Sequence, residues 1–316
     1  HIYDEMLIIF AAGNEGEDRS GDGEIDFDSI GSPASAKNVL TVGASENSRT
    51  QKCISDGTCS DVGTWSSFGY TNSPLNTDST SGNIEGMAAF SSRGPTSDAR
   101  LKPDISAPGT WILSAKSRDT TDTGWGEYNA SYTYMGGTSM ATPLTAGAAA
   151  LILQHLIEHR NTSSPSSALV KALLTSLATD MQGQYSAGNG AAENAPNQHE
   201  GWGRLNLTGL TNTSFSDRIN IETKDKRTFS FTNPQSISEL RVLLSWIDPA
   251  SSPAVSKHLV NDLDLTVIDP NGTIHSISNN RDNLEGLTIK NAISGTYTVI
   301  VDGTHVPIGP QEFAIS

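Results

Sequence analysis

The run Met6-Leu7-Ile8-Ile9-Phe10-Ala11-Ala12 carries no polar residue and stops at Gly13-Asn14. A strand with one wet face alternates polar and apolar residues. A strand without alternation has both faces covered, as inside a parallel sheet flanked by helices. Val39 to Gly43 (VLTVG) is a second strand of this kind. Thr142 to Ile157 (TPLTAGAAALILQHLI) is rich in Ala and Leu, with Pro143 near its start, where proline is tolerated because first-turn amides lack intrahelical acceptors. It is expected to be a buried helix. Pro165 to Leu177 places Leu169, Leu173, Leu174 and Leu177 at helical spacing and predicts a second, amphipathic helix. The first part of the chain therefore reads as α/β.

After Trp202-Gly203-Arg204 the texture changes. Thr228 to Phe231, Leu240 to Trp246, Leu263 to Ile268 and Thr296 to Val301 are short and partly alternating, with Asn-Gly and Ser-Gly turns at 271-272 and 294-295. This is the pattern of an all-β sandwich. A length of 316 residues suits one large and one small domain, and we divide the chain into residues 1–212 and 213–316. Between Glu46 and Gly86 the sequence turns to Ser, Thr, Asn, Asp and Gly with scattered aromatics, an elaborated surface insertion. Within it Cys53 and Cys59 are close enough for a local disulfide, the alternative being two reduced thiols. Asp and Glu outnumber Lys and Arg by 35 to 20, which argues against nucleic acid or an anionic membrane as partner. No apolar run in the sequence reads as a bilayer span, and no signal peptide opens it.

The chemistry concentrates in Gly136-Gly137-Thr138-Ser139-Met140-Ala141-Thr142-Pro143, which runs straight into the Ala-rich helix. Ser139 falls at the helix N-terminus, where free amides and the positive end of the dipole favour developing negative charge. On position alone, a serine there is an N-cap. The neighbours decide otherwise. GTSMATP, together with Phe10 to Gly16 (FAAGNEG), Phe90 to Pro95 (FSSRGP) and Lys102 to Gly109 (KPDISAPG), resembles the subtilase serine proteases, four blocks in the family's order. Gln198 to Arg204 (QHEGWGR) and Leu259 to Leu265 (LVNDLDL) are similar to subtilases with a C-terminal β jelly-roll domain.

The resemblance implies an α/β fold, the C-terminal part of a subtilisin-type parallel-sheet domain, followed by an all-β jelly-roll sandwich. It implies a secreted, extracellular, monomeric serine endopeptidase acting on proteins or peptides through an acyl-enzyme. Ser139 would be the nucleophile, and the Asn14 amide would bind the oxyanion with the Ser139 backbone N–H. Ala11, Ala12 and Gly13, with the loop that contains Gly31 and Ser32, would wall the specificity pocket. The family's Asp and His motifs are absent. Of the histidines, His1 is terminal, His155 and His159 follow the nucleophile on its helix, and His199, His258, His275 and His305 lie later. None sits in a glycine-rich setting like the family's catalytic His. The upstream half carrying the Asp and His is thus expected to be truncated or a separate piece, leaving this segment alone nearly inactive. The alternative is a catalytically dead binding or adhesion protein working through its sandwich.

Structural calcium is a second expectation. Asp18, Ser20, Asp22 and Asp26 occupy positions one, three, five and nine of an EF-hand-like loop, with Gly23 at six, Glu24 offering a carbonyl at seven and Ile25 at eight. The closing bidentate Glu is missing, and the alternative is a solvated acidic turn. Asp248, Asp262, Asp264 and Asp282 form a weaker candidate set, since clustered carboxylates repel without a cation; separate surface turns would explain them as well.

Overall fold

The computed structural model describes residues 4–183 and 194–316. The apolar run yields strand β1 (Ile9–Ala11), and VLTVG yields β2 (Leu40–Ser45). The insertion begins with a hairpin of β3 (Gln51–Cys53) and β4 (Cys59–Asp61), closed by a Cys53–Cys59 disulfide. Then come β5 (Ile105–Pro108), β6 (Ile112–Ala115), β7 (Gly126–Asn129) and β8 (Tyr132–Met135). Two helices follow, α1 (Thr138–His159) and α2 (Ser167–Ser176). The C-terminal part consists of β9 (Ser216–Ile221), β10 (Lys226–Asn233), β11 (Ile237–Trp246), β12 (Asp262–Ile268), β13 (Ile274–Ile277), β14 (Leu284–Ala292), β15 (Gly295–His305) and β16 (Gln311–Ile315).

Strands β1, β2 and β5 form a parallel sheet in that order, with Ile9 opposite Leu40 and Val42 opposite Ile105. β2 is central and wholly buried, as its unbroken apolar pattern requires. β1 is shorter than the run that predicts it. Among the described residues it has a neighbour on one side only, and Met6 and Ile8 remain 55% and 48% exposed.

Helix α1 starts earlier than its apolar pattern, and it is buried on one stripe rather than all round. Ala141, Thr145, Ala148, Ile152 and Leu156 pack inward, whereas Leu144, Leu151 and Ile157 are 42%, 56% and 50% exposed. Contrary to the sequence-based expectation, this helix of 22 residues is long and apolar enough, by length and composition, to cross a membrane. Its inward stripe packs in one core with Leu40, Val42 and Ile105 of the sheet.

Helix α2 is buried along nearly its whole length because it lies between the two parts of the chain. Leu169 and Leu173 share one core with Leu243 of β11, Leu284 of β14 and Ala314 of β16. Ser166 caps α2 by accepting from the Leu169 N–H at 3.0 Å, and its own N–H donates to Asp217 of β9 at 2.9 Å. The C-terminal part is a β-sandwich of two antiparallel four-stranded sheets, β10-β15-β12-β13 and β14-β11-β16-β9, around Val242, Trp246, Leu265, Tyr297 and Phe313.

A buried ionic knot joins these layers. Asp104, just before β5, accepts from the Thr41 N–H of β2 and pairs with Lys102 and with Lys171 of α2, the latter at 3.1 Å. Both ammonium groups also donate to the Val39 carbonyl, at 3.0 and 3.1 Å. The two ammonium groups offset the cost of burying the Asp104 carboxylate and hold it below the usual range.

Glu46 and Glu200 are almost fully buried, and burial pushes each carboxyl up to about 8. A folded-state pKa above the unfolded value of 4.5 means that the folded protein holds the proton longer, so each group costs stability as pH rises from about 4.5 to 8. Glu200→Gln cannot lose a proton. Its melting temperature relative to wild type is expected to climb across that window, and a constant difference from pH 5 to 9 would show that Glu200 does not titrate there.

Candidate active site

The site is assembled where the C-terminal ends of the parallel strands meet the N-terminus of α1. After β1 the Ala12 N–H still donates to Val42 at 2.9 Å, and Gly13 then turns the chain with φ +113°. A Cβ at Gly13 would lie 2.1 Å from Glu15 Oε2 and 2.7 Å from Ser92 Oγ, so only glycine fits. Ser92 clamps the turn: its N–H donates to the Gly13 carbonyl at 3.0 Å, and its hydroxyl donates to Glu15 Oε2 at 2.8 Å. The Gly16 N–H donates to the Phe90 carbonyl at 2.9 Å, and Tyr70 Oη donates to the Gly16 carbonyl at 2.7 Å.

From the other side, Gly137 (φ +145°) donates its N–H to the Gly109 carbonyl beyond β5 at 2.8 Å and starts α1. Thr138 is 1% exposed, and its N–H and hydroxyl both donate to Asn14 Oδ1 at 2.9 Å. The oxygen end of the Asn14 amide is thereby fixed, and Nδ2 is presented as a donor beside the Gly137 backbone. The exposed Ser139 side chain stands at the amino end of α1, and among the described residues nothing hydrogen-bonds its hydroxyl. It borders a cavity of about 530 Å³ shared with Leu113, Met135, Met140, Pro143 and Leu144. One amide donor, the helix's free N–H groups and an exposed hydroxyl are thus brought together, an arrangement suited to stabilising an oxyanion formed on attack by that hydroxyl.

No base faces Ser139 among the described residues. His155 and His159 lie with their ring centroids 5.5 Å apart, tilted at 47°, in the second half of α1. His199 accepts from Arg93 Nε at 3.1 Å, and burial, aided by Arg93, pushes its pKa down to about 3. His258 bonds Ser251 at 2.8 Å, His275 lies 3.6 Å from Asp269, and His305 ends β15 opposite Asp262. His1 lies outside the described residues. Of the expected pocket walls, Ala11 ends β1 and Ala12 is buried, whereas Gly31 and Ser32 are exposed in a turn with no atom within 4 Å of where a Gly31 Cβ would be.

In the acidic loop, backbone amides donate to the carboxylates. Asp18 Oδ1 accepts from the Gly21 N–H at 2.8 Å, and Oδ2 accepts from the Gly23 N–H at 3.1 Å and from Asn72 at 2.9 Å. Asp22 accepts from the Glu24 N–H at 3.0 Å, and Asp26 accepts from the N–H groups of Arg19 and Ser20. Ser20 Oγ donates to Asp18 Oδ1 at 3.5 Å, and burial, with Asp22 and Asp18 adding to it, raises the Glu24 carboxyl. Among the described residues no three His, Cys, Asp or Glu side chains gather as a metal site.

Of the second set, only Asp262 and Asp264 stay together. Asp248 pairs with Lys37 and accepts from the Val260 and Asn261 N–H groups, so it serves the contact between the two parts of the chain. Asp282 accepts from the Leu101 N–H at 3.0 Å and from Asn279 at 2.7 Å. Asp262 and Asp264 lie together on β12, and burial, with Asp264 adding to it, raises the Asp262 carboxyl.

Sequence reasoning missed Thr138, which orients the Asn14 amide, although it adjoins Ser139 in the motif. It also missed the Ser92–Glu15 clamp, whose partners are far apart in the chain.

Residues 3–203 match the subtilase family. The serine protease/ABC transporter B family protein tagB of Dictyostelium discoideum is 29% identical over 305 residues, which cover 73% of this chain and 16% of that protein. Serine protease AprX of Bacillus subtilis is 34% identical over 152 residues, 47% of this chain and 26% of AprX. The chain therefore spans only a minor share of these relatives' length. A solved serine protease of Aeromonas sobria aligns with 97% of this chain and 59% of its own, at 14% identity and a TM-score of 0.36.

Because Asp18 satisfies backbone amides, Asp18→Ala should cost about 1–3 kcal/mol of stability, equally in calcium and in chelator. Thermal melts check this. A wild-type melting temperature that rises with calcium, together with loss of that rise in the variant, would restore the cation.

Proposed function

Since the chain belongs to the subtilase family, we propose that it carries the nucleophile and oxyanion site of a secreted serine endopeptidase. The observation that carries the reading is the pair of hydrogen bonds from Thr138 to Asn14 Oδ1, which leaves Nδ2 as a donor at the start of the helix that bears Ser139. Ser139 Oγ adds to the scissile carbonyl carbon, and its proton passes to a His, itself held by an Asp, supplied by polypeptide outside these residues. The resulting oxyanion accepts from Asn14 Nδ2 and the Ser139 N–H. The tetrahedral intermediate then expels the amine with that proton, and water hydrolyses the acyl-enzyme. Without the His and Asp this segment has at most the residual activity of an oxyanion site.

The disulfide between Cys53 and Cys59 supports an oxidising, extracellular location. A net charge of −15 supports protein or peptide substrates over nucleic acid or anionic membrane. We read the protein as a monomer. The order β10-β15-β12-β13 against β14-β11-β16-β9 supports a jelly roll that braces the catalytic part through α2. The lack of a base among the described residues keeps one rival, an inactive scaffold that binds through its sandwich.

In protein that includes the upstream His and Asp, a fluorophosphonate should label Ser139, and Ser139→Ala should abolish labelling. Asn14→Ala should lower kcat by about a hundred- to a thousand-fold with KM nearly unchanged, a magnitude carried over from subtilisin itself. Thr138→Val, which lets the amide turn, should lower kcat by about ten- to a hundred-fold. Absence of labelling in the wild type would favour the binding scaffold.

A further inference from the structure

The surface insertion and the β7–β8 hairpin, which the oxyanion chemistry does not use, bring a group of aromatic rings against the nucleophile segment. Trp125 lies over Gly136, so closely that a Cβ there would be 2.1 Å from Trp125 Cζ2. The Trp125 ring contacts Phe68 of the insertion at 4.9 Å and Phe90 at 6.0 Å. Phe90 in turn holds Gly16, at the end of the Asn14 turn, through its carbonyl. The rings are continuous with both halves of the oxyanion site.

They are also rigidly backed. Trp65 is fully buried and packs on Phe68 and Phe90 at 5.7 and 5.8 Å, and the buried Trp111 packs on Trp125 at 5.2 Å. The disulfide hairpin is pinned to β8, where Tyr134 Oη donates to the Cys53 carbonyl at 2.9 Å and accepts from the Cys53 N–H at 3.3 Å. Despite this backing the outer rings are not covered: Phe68 is 43% exposed and Trp125 is half-buried. Aromatic surface held rigid and left open beside Gly136, three residues before Ser139, gives apolar contact at little cost in conformational entropy.

Building on the protease reading, we propose that Phe68, Trp125 and Phe90 form a substrate subsite that receives a large apolar or aromatic side chain flanking the scissile bond. The insertion is then a specificity element. Phe68 is the residue to change, because its exposure makes its removal tolerable to the fold.

The test uses protein that includes the upstream His and Asp, with peptides in which each position flanking the scissile bond is Phe or Ala in turn. At one position wild type should prefer Phe. Phe68→Ala should lower kcat/KM for that Phe peptide by about tenfold or more while leaving the matching Ala peptide and fluorophosphonate labelling unchanged. Phe68→Leu should retain most of the preference. An equal loss on both peptides, or no loss, overturns the subsite while labelling still upholds the protease. If wild type is not labelled, the protease reading fails instead, and the same peptides serve as uncleaved ligands followed by tryptophan fluorescence. Tighter binding of the Phe peptide, lost in Phe68→Ala, supports the subsite. Binding that ignores the side chain overturns it.

Discussion

The buried carboxylate of Asp104 is the contact on which the layering depends. It takes the Thr41 N–H from β2, sits at the start of β5 and pairs with Lys171 of α2, so one acidic group fixes two strands and the helix beneath the sandwich. Removing Asp104 would leave two ammonium groups in the interior without a counter-charge, a penalty of about 3–5 kcal/mol. The knot lies at the amino ends of the strands. Their carboxyl ends are thereby held at a set height, and these ends deliver the Gly13 turn and the Gly109 carbonyl to α1.

What the sheet positions, short hydrogen bonds then aim. Gly137 hangs from Gly109, and Thr138 holds Asn14 by its oxygen. Neither group reacts. Their effect is to leave the nitrogen of a neutral amide as a donor at the start of α1, which in the proposed reaction needs no reorganisation as charge develops. The Ser92–Glu15 clamp restrains the same turn from behind, so the amide is gripped from two directions.

The sandwich is bound to this apparatus as a continuation of its core. One sheet faces α2 with Leu243, Leu284 and Ala314 and faces its partner sheet with Val242, Leu244 and Phe313. Around that apolar contact lie directed polar ones: Lys37 to Asp248 and to the His258 carbonyl, Asn38 to Asp248 in both directions, and Arg241 to the Ala178 and Trp202 carbonyls at 2.7 and 2.8 Å. An interface built in this way restrains both translation and rotation, which suits a bracing module.

Local pattern was enough for β2, β11 and β12 and for the position of α2, though not for its burial on every side, because strand burial and 3.6-residue spacing leave direct marks in sequence; the link between Asn14 and the Ser139 segment came from the family resemblance. Local pattern overstated β1 and α1. An apolar residue records that it prefers cover, and the tertiary arrangement decides whether Met6, Leu144 or Leu151 receives it. The spacing of Asp18, Ser20, Asp22 and Asp26 is equally compatible with a cation and with backbone amides, since a carboxylate oxygen accepts from either. The path of the loop brings its amides to those oxygens. Asp248 became the partner of Lys37, and Trp125 the cover of Gly136, through contacts between distant segments, and no local sequence pattern encodes such encounters.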